Sequence, residues 1–190
     1  MMNMSNDSNK RRSNLVKIAV AGVMAALIFV ATQIRIPIPT GYLNLGDVMI
    51  NICSFILGPL AAIPAALGSA IADLVAGYPM YIGPTFLIKG LMGLLGGLYF
   101  SHSIKVYTKN GDHTIKEYMR SGKHIALSVA VFIGTELIMV AGYFAFEALP
   151  QMYGVAGALG SVPYNLIQAA AGVVLSVPVI RIPGVYRLRL

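Results

Sequence analysis

The stretch GYPMYIGPTFLIKGLMGLLGG, residues 77–97, decides how the rest of the chain is interpreted. Its first part is rich in turn formers and tyrosines, and its second part is an apolar run that contains one charged residue, Lys89. A charged side chain in the middle of a membrane helix costs about 2.5–3.5 kcal/mol on insertion scales, so it usually faces a partner or a wet cavity. We therefore expect a polar site beside this segment.

The composition is that of an integral membrane protein. Of the 190 residues, 57% are hydrophobic and only 11% are charged, whereas soluble domains carry about 25% charged residues. The single cysteine, Cys53, excludes a disulfide within one chain. We expect an all-α fold in which transmembrane helices form one bundle.

Apolar runs separated by turn-forming or charged segments predict six transmembrane helices. They are expected at Leu15–Gln33, Asn44–Leu57, Leu60–Ala76, Thr85–Phe100, Ile125–Ala148 and Val162–Ile180. Residues 1–14 and 181–190 are predicted cytoplasmic tails, the first of them disordered, and residues 15–180 form one transmembrane domain. The segments Ile34–Tyr42 and Pro150–Ser161 are predicted loops, because prolines interrupt the first and glycines crowd the second.

The charge distribution predicts the orientation of the chain. Twelve of the fourteen Lys and Arg residues lie in or next to the N-terminal tail, in the polar segment His102–His124 or in the C-terminal tail. Six helices place these three segments on one side, and basic segments mark the cytoplasmic side. Both termini are therefore expected to be cytoplasmic, and the net charge of +7 reflects membrane topology. We expect contact with the lipid bilayer and none with nucleic acid.

Polar residues of the last three predicted helices are expected to meet in one layer near the outer face, because a rise of about 1.5 Å per residue puts them at similar depth. The predicted lining is Thr85, Lys89, Tyr143, Glu147, Asn165 and Gln168, under a lid of Tyr78 and Tyr81. A cation, a carboxylate, phenols and amides suit a small, polar, aromatic ligand. The sequence therefore predicts a substrate-binding cavity.

Structural roles are the alternative for part of this set. Lys89 and Glu147 would then form an ion pair, and Asn165 and Gln168 would tie helices together.

Three further carboxylates have roles that the sequence leaves open. Asp47 follows Asn44, a candidate N-cap, and suits the positive end of the second predicted helix. Asp73 lies about one turn from the end of the third and could pair with a neighbour, cap the next turn or contact a ligand. Glu136 lies near mid-membrane, too deep for a shallow site, and is expected to be structural.

No catalytic motif is present in the sequence. The pattern G-x-x-x-x-G-K-[ST], H-E-x-x-H, G-x-S-x-G and a Cys/His cluster with metal spacing are all absent. We therefore expect no catalytic residue, no metal and no cofactor. An intramembrane enzyme that uses Lys89 and Glu147 as acid and base is the alternative of another class.

Several stretches together carry a family resemblance. They are Asn44-Leu-Gly-Asp47, Gly58-Pro59, residues 68–74, residues 84–91, Gly142-Tyr143-Phe144 with Glu147, and Pro163-Tyr164-Asn165 with Gln168. On these residues the chain resembles the substrate-binding S components of energy-coupling factor (ECF) vitamin transporters, in the branch of riboflavin-, pyridoxine- and hydroxymethylpyrimidine-type proteins. The resemblance covers nearly all of residues 15–180 and implies a six-helix membrane subunit, not an enzyme, with its site near the outer face.

The resemblance also implies protein partners. Such S components belong to ABC-type importers and work with a transmembrane coupling subunit and two cytoplasmic ATPase subunits, which supply the energy. Ala21, Gly22, Ala25 and Ala26 form small-xxx-small pairs on the first predicted helix, which permit the close approach of another helix. The resemblance assigns Ala21 and Ala25 to contact with the coupling subunit, and ordinary packing inside the bundle is the alternative.

The expected ligand is a water-soluble vitamin or precursor, with pyridoxine or hydroxymethylpyrimidine ahead of riboflavin and pantothenate. This preference follows from the branch resemblance and from the modest polar lining. The expected location is the plasma membrane of a bacterium, where the loaded S component would rotate in the membrane and release its ligand inside.

Overall fold

The protein is described by a computed structural model that covers residues 2–38, 41–109, 111 and 113–190. Five helical stretches in these ranges are long and apolar enough to cross a membrane, namely Arg11–Gln33, Gly46–Val75, Pro79–Thr108, Gly122–Glu147 and Gly154–Val179. The prediction of an all-α membrane protein is confirmed at this level. The count of six crossings and the orientation of the termini stay predictions.

The first helix, α1, runs from Met2 to Gln33. It begins well before the predicted start at Leu15, so residues 2–14 continue the helix and are not a separate disordered tail. The physical reason is local: residues 2–21 contain neither proline nor glycine, the two residues that most strongly end a helix. Met1 lies outside the described residues.

A short β-hairpin follows α1 where the sequence predicted a loop. Strand β1, Arg35–Ile38, pairs antiparallel with β2, Gly41–Asn44, and Arg35 faces Asn44 in the register. Pro37 lacks an N–H, but a two-stranded hairpin leaves each strand a free edge, which tolerates that loss. The hairpin brings Tyr42 and Asn44 back toward the helices.

Two short helices follow the hairpin. Helix α2, Gly46–Leu57, and helix α3, Ala62–Val75, are joined by a 3₁₀ turn, Gly58–Ala61. Gly58 has φ of 60°, a left-handed conformation that favours glycine. At about 1.5 Å per residue, α2 and α3 span about 18 and 21 Å, less than the hydrocarbon core of about 30 Å. Only the joined stretch therefore qualifies as a candidate span.

Helix α4 begins with Ile82 and ends at Thr108, after a 3₁₀ turn at Pro79–Tyr81. Glycines on one face of α4 allow close contact with α3 and the turn before it. A Cβ on Gly93 would lie 2.7 Å from the carbonyl oxygen of Ala61, and one on Gly97 would lie 2.7 Å from the nitrogen of Pro59. Because backbones meet here directly, α4 fixes the position of both α2 and α3.

This close contact gives a prediction for Gly97. Gly97→Ala should lower the free energy of unfolding by about 1–3 kcal/mol, because the added methyl group overlaps the backbone of Gly58 and Pro59. Gly134→Ala is the matched control, since Gly134 is also helical and open space surrounds it. Thermal unfolding in detergent micelles measures both variants. Equal melting temperatures for the two would contradict this packing.

The remaining helices complete the bundle. They are α5, Ile115–Arg120, α6, Gly122–Glu147, α7, Gly154–Val179, and α8, Pro183–Tyr186. Most of the predicted loop Pro150–Ser161 is the start of α7. Gly154 has φ of 67° and begins the helix, and Gly157 and Gly160 lie within it.

The two ends of the bundle differ in character. At one end, Gln33 of α1 donates to the carbonyl oxygen of Ala72, near the end of α3. At the other end, the Arg189 guanidinium donates to the carbonyl oxygen of Phe55, and the Leu190 N–H donates to that of Ile56 at 3.0 Å. The C-terminal segment thus satisfies carbonyls in the last turn of α2. The end that carries Arg189 is opposite to the end formed by the hairpin.

Candidate ligand-binding site

A cavity of about 490 Å³, part of it open to solvent, lies at the end of the bundle near the hairpin. Side chains from β2, α3, the turn before α4, α4, α6 and α7 form its wall. The lining residues are Tyr42, Asn44, Asp73, Tyr78, Tyr81, Thr85, Tyr143, Glu147, Asn165 and Gln168. Seven of the eight residues predicted from the sequence are thus brought together around one space. Their role in binding stays a prediction.

A chain of tyrosine rings covers one side of this cavity. The Tyr78 ring lies 5.3 Å from that of Tyr42 and 6.2 Å from that of Tyr81, between ring centroids. Tyr81 in turn lies 6.2 Å from Tyr143. Aromatic rings in tilted and edge contact form a rigid surface, which suits the edge or face of another ring. The cavity therefore has an aromatic wall and a polar floor.

Glu147, at the end of α6, is held by two hydroxyl groups. The Tyr81 hydroxyl donates to Oε1 at 3.1 Å, and the Ser161 hydroxyl donates to Oε2. These bonds connect the turn before α4 to α6 and α7. On the neighbouring wall, the hydroxyls of Thr85 and Tyr143 share a hydrogen bond of 3.0 Å.

Lys89 is the one predicted site residue that does not line the cavity. It is buried, with 4% of its surface exposed, and its ammonium group forms an ion pair with Asp47 in the first turn of α2. Its Nζ also lies 5.3 Å from the centroid of the Tyr143 ring. The alternative of an ion pair between Lys89 and Glu147 is therefore wrong, because Asp47 supplies the counter-charge.

Gln168 joins this ion pair to the hairpin. Its Nε2 donates to Asp47 Oδ2 at 2.6 Å, and its Oε1 accepts from the backbone N–H of Asn44 at 2.9 Å. Asn44 Oδ1 accepts from the Gly46 N–H at 2.8 Å, but the N-cap residue of α2 is Leu45, without a side-chain cap, so the N-cap prediction for Asn44 was wrong. Asp47 lies in the first turn of α2, as predicted. Gln168 therefore ties helices together and also presents part of its amide to the cavity.

Sequence reasoning did not place Tyr42, Asn44 and Asp73 in the cavity wall. The Tyr42 hydroxyl donates to Asp73 Oδ1 at 2.5 Å, which joins the hairpin to the end of α3. Tyr42 and Asn44 were missed because the hairpin was predicted as a loop. Contact with a ligand was one of three alternatives for Asp73. The sequence signal for that contact was its position shortly before Tyr78, a predicted site residue.

Glu136 belongs to a second, deeper cluster outside the cavity wall, consistent with its predicted structural role. Asn51 Nδ2 donates to Glu136 Oε1 at 2.9 Å. Gly172 of α7 lies against the same carboxyl group, and a Cβ there would lie 2.9 Å from its carboxyl carbon. This contact links α2, α6 and α7 beneath the cavity.

The small residues on α1 differ in their exposure. Ala25 contacts Gly68 of α3 through its backbone, and Ala21 is partly buried against the core. Gly22 and Ala26 are exposed. Half of the predicted partner face is therefore occupied within the chain. Among the described residues, no group of His, Cys, Asp and Glu could hold a metal ion.

Comparison with known proteins gives one family and two similar relatives. Residues 12–183 match the family model described as ECF-type riboflavin transporter, S component. A protein of Pyrococcus woesei, described as "Uncharacterized protein in gap 3'region", is 32% identical over 148 residues, which are 75% of this chain and 83% of that protein. The thiamine precursor transporter HmpT of Lactococcus lactis subsp. cremoris is 29% identical over 168 residues, which are 86% of this chain and 84% of HmpT.

Proposed function

The chain belongs to the family of ECF-type riboflavin transporter S components, and from this membership we propose that it captures a water-soluble vitamin or precursor in the cavity between the hairpin and helices α3, α4, α6 and α7. The family consists of transport components and not of enzymes, which removes the alternative of catalysis by Lys89 and Glu147. The protein is a multi-pass membrane protein.

The observation that carries this proposal is the convergence of polar and aromatic side chains on one cavity. Its lining includes four tyrosines, two carboxyl groups and three amides, and it opens at the end of the bundle opposite Arg189. Basic segments mark the cytoplasmic side of a membrane protein. This supports a six-crossing topology in which both termini are cytoplasmic and the cavity opens on the outer side of the cell membrane.

The substrate that fits best is hydroxymethylpyrimidine or pyridoxine. HmpT, which is similar to 86% of this chain, is described as a thiamine precursor transporter. The space of about 490 Å³ includes a part that is open to solvent, so the enclosed part of the cavity is smaller than that value. A one-ring vitamin suits this space better than the three fused rings of riboflavin. Pantothenate is disfavoured as well, because its carboxylate would meet Asp73 and Glu147.

Delivery into the cell requires partners that supply energy. The sequence contains no nucleotide-binding loop of the G-x-x-x-x-G-K-[ST] type, which fits a division of labour with a transmembrane coupling subunit and two cytoplasmic ATPases. Gly22 and Ala26, exposed on α1, suit the close approach of a partner helix in lipid.

Uptake by proteoliposomes tests this division of labour. The purified chain alone is expected to bind labelled hydroxymethylpyrimidine or pyridoxine but not to accumulate it, even with ATP present. Co-reconstitution with the coupling subunit and ATPases is expected to produce ATP-dependent uptake of the unchanged molecule. ATP-dependent uptake by this chain alone would refute the proposal, and so would recovery of a chemically altered ligand.

A further inference from the structure

Two polar atoms of residues that line the cavity lack hydrogen-bond partners among the described residues. They are Oδ2 of Asp73, on α3, and Nδ2 of Asn165, on α7. Leaving a buried polar atom unpaired costs about 1–3 kcal/mol. The unpaired acceptor, Asp73 Oδ2, and the unpaired donor, Asn165 Nδ2, therefore mark two positions at which polar groups of a ligand can form hydrogen bonds.

The other oxygen of Asp73 is already occupied, which leaves Oδ2 for a ligand. Burial and the neighbouring Asp73 carboxylate raise the pKa of the Tyr42 phenol, so Tyr42 keeps its proton at neutral pH and donates to Oδ1 at 2.5 Å. The hydroxyl of Thr85 also interacts with the Asp73 carboxyl group, and it shares a hydrogen bond of 3.0 Å with the Tyr143 hydroxyl in which either group can donate.

The charge of the cavity wall limits what it can accept. Asp73 and Glu147 are acidic, and the described lining contains no Lys or Arg. Lys89 lies outside the lining and is paired with Asp47. Arg35 is exposed, with its guanidinium carbon 5.3 Å from the centroid of the Tyr42 ring. A ligand that carries a carboxylate or phosphate would meet like charges in a poorly solvated space.

We propose that Asp73 determines ligand specificity by accepting a hydrogen bond at Oδ2 from an exocyclic amine on a small, uncharged aromatic ring. The Asn165 amide donates to a ring nitrogen or hydroxyl of the same ligand, and the tyrosines cover its ring. This inference rests on the proposed function and narrows its substrate class to amino-substituted heterocycles without a negative charge.

Isothermal titration of the purified full chain with two matched probes tests this role. The probes are hydroxymethylpyrimidine, which carries a 4-amino group, and the same pyrimidine without that group. The wild type is expected to bind the aminated probe about 10- to 100-fold more tightly, because a hydrogen bond to a charged acceptor is lost with the amine. In Asp73→Asn, where Tyr42 keeps its acceptor and the amine meets an NH₂ group, this preference is expected to fall to less than threefold.

The control is Glu117→Gln, the same carboxyl-to-amide change on the exposed face of α5. It is expected to keep the wild-type preference, and thermal unfolding verifies that both variants are folded. A folded Asp73→Asn that discriminates as the wild type does would overturn the inference. Binding of pyridoxine or pantothenate without binding of the aminated probe would also overturn it, while leaving a transport role intact. Failure of the wild type to bind any of these probes or riboflavin would instead refute the proposed function, and the inference with it.

Discussion

Replacing Lys89 by methionine is expected to lower the free energy of unfolding by about 3–5 kcal/mol, which is the usual cost of removing one partner from a buried ion pair. Lys89 and Asp47 are both buried, with 4% and 1% of their surfaces exposed. Without Lys89, the Asp47 carboxylate keeps its bond from Gln168 but loses its counter-charge. Chemical or thermal unfolding in detergent micelles measures the loss.

The double variant Asp47→Asn with Lys89→Met separates charge from shape. Because both charges leave together, it is expected to regain most of the stability that the single variant loses, as occurs when buried pairs are replaced as a unit. Losses that simply add in the double variant would show that Lys89 and Asp47 do not stabilise each other. The bundle would then have to be held at this point by other contacts.

The ion pair also shows where sequence reasoning succeeded and where it stopped. A lysine in an apolar run predicted a partner or a wet cavity, because the cost of an isolated charge holds for any fold, and Lys89 has a buried partner in Asp47. Its partner depends on which helices become neighbours. Asp47, from the second predicted helix, supplies the counter-charge, and Glu147 is satisfied by Tyr81 and Ser161.

The hairpin gives a second example of this limit. Two prolines in residues 34–42 predicted a loop, but the strand ladder of a two-stranded hairpin uses only one edge of each strand, so Pro37 is tolerated. The hairpin brings Tyr42 to Asp73 and Asn44 to Gln168. These long-range contacts have no local sequence signal, which is why these residues were missed in the cavity wall.

By contrast, the residues of α6 and α7 were predicted well. Tyr143 and Glu147 are four residues apart, and Asn165 and Gln168 are three apart, and both spacings put two side chains on one face of a helix. Helical spacing alone puts each pair on one side of its helix. The estimate of equal depth assumed a helix start at Val162, whereas α7 begins at Gly154. All four line the cavity.

Filling this cavity from α7 is expected to abolish ligand binding. Asn165→Phe places a phenyl ring in the space and removes the amide, so affinity for hydroxymethylpyrimidine or pyridoxine should fall at least about 100-fold, or about 2.7 kcal/mol. Leu166→Phe is the matched control, because Leu166 is the next residue of the same helix and is exposed on the outside of the bundle. A phenyl ring there adds bulk without entering the cavity.

Titration calorimetry of the wild type, Asn165→Phe and Leu166→Phe shows whether the cavity holds the transported molecule. We expect one molecule of hydroxymethylpyrimidine or pyridoxine bound per chain in the wild type and in Leu166→Phe, and no measurable binding in a folded Asn165→Phe. Wild-type affinity in a folded Asn165→Phe would place the ligand elsewhere on the protein and refute binding in this cavity.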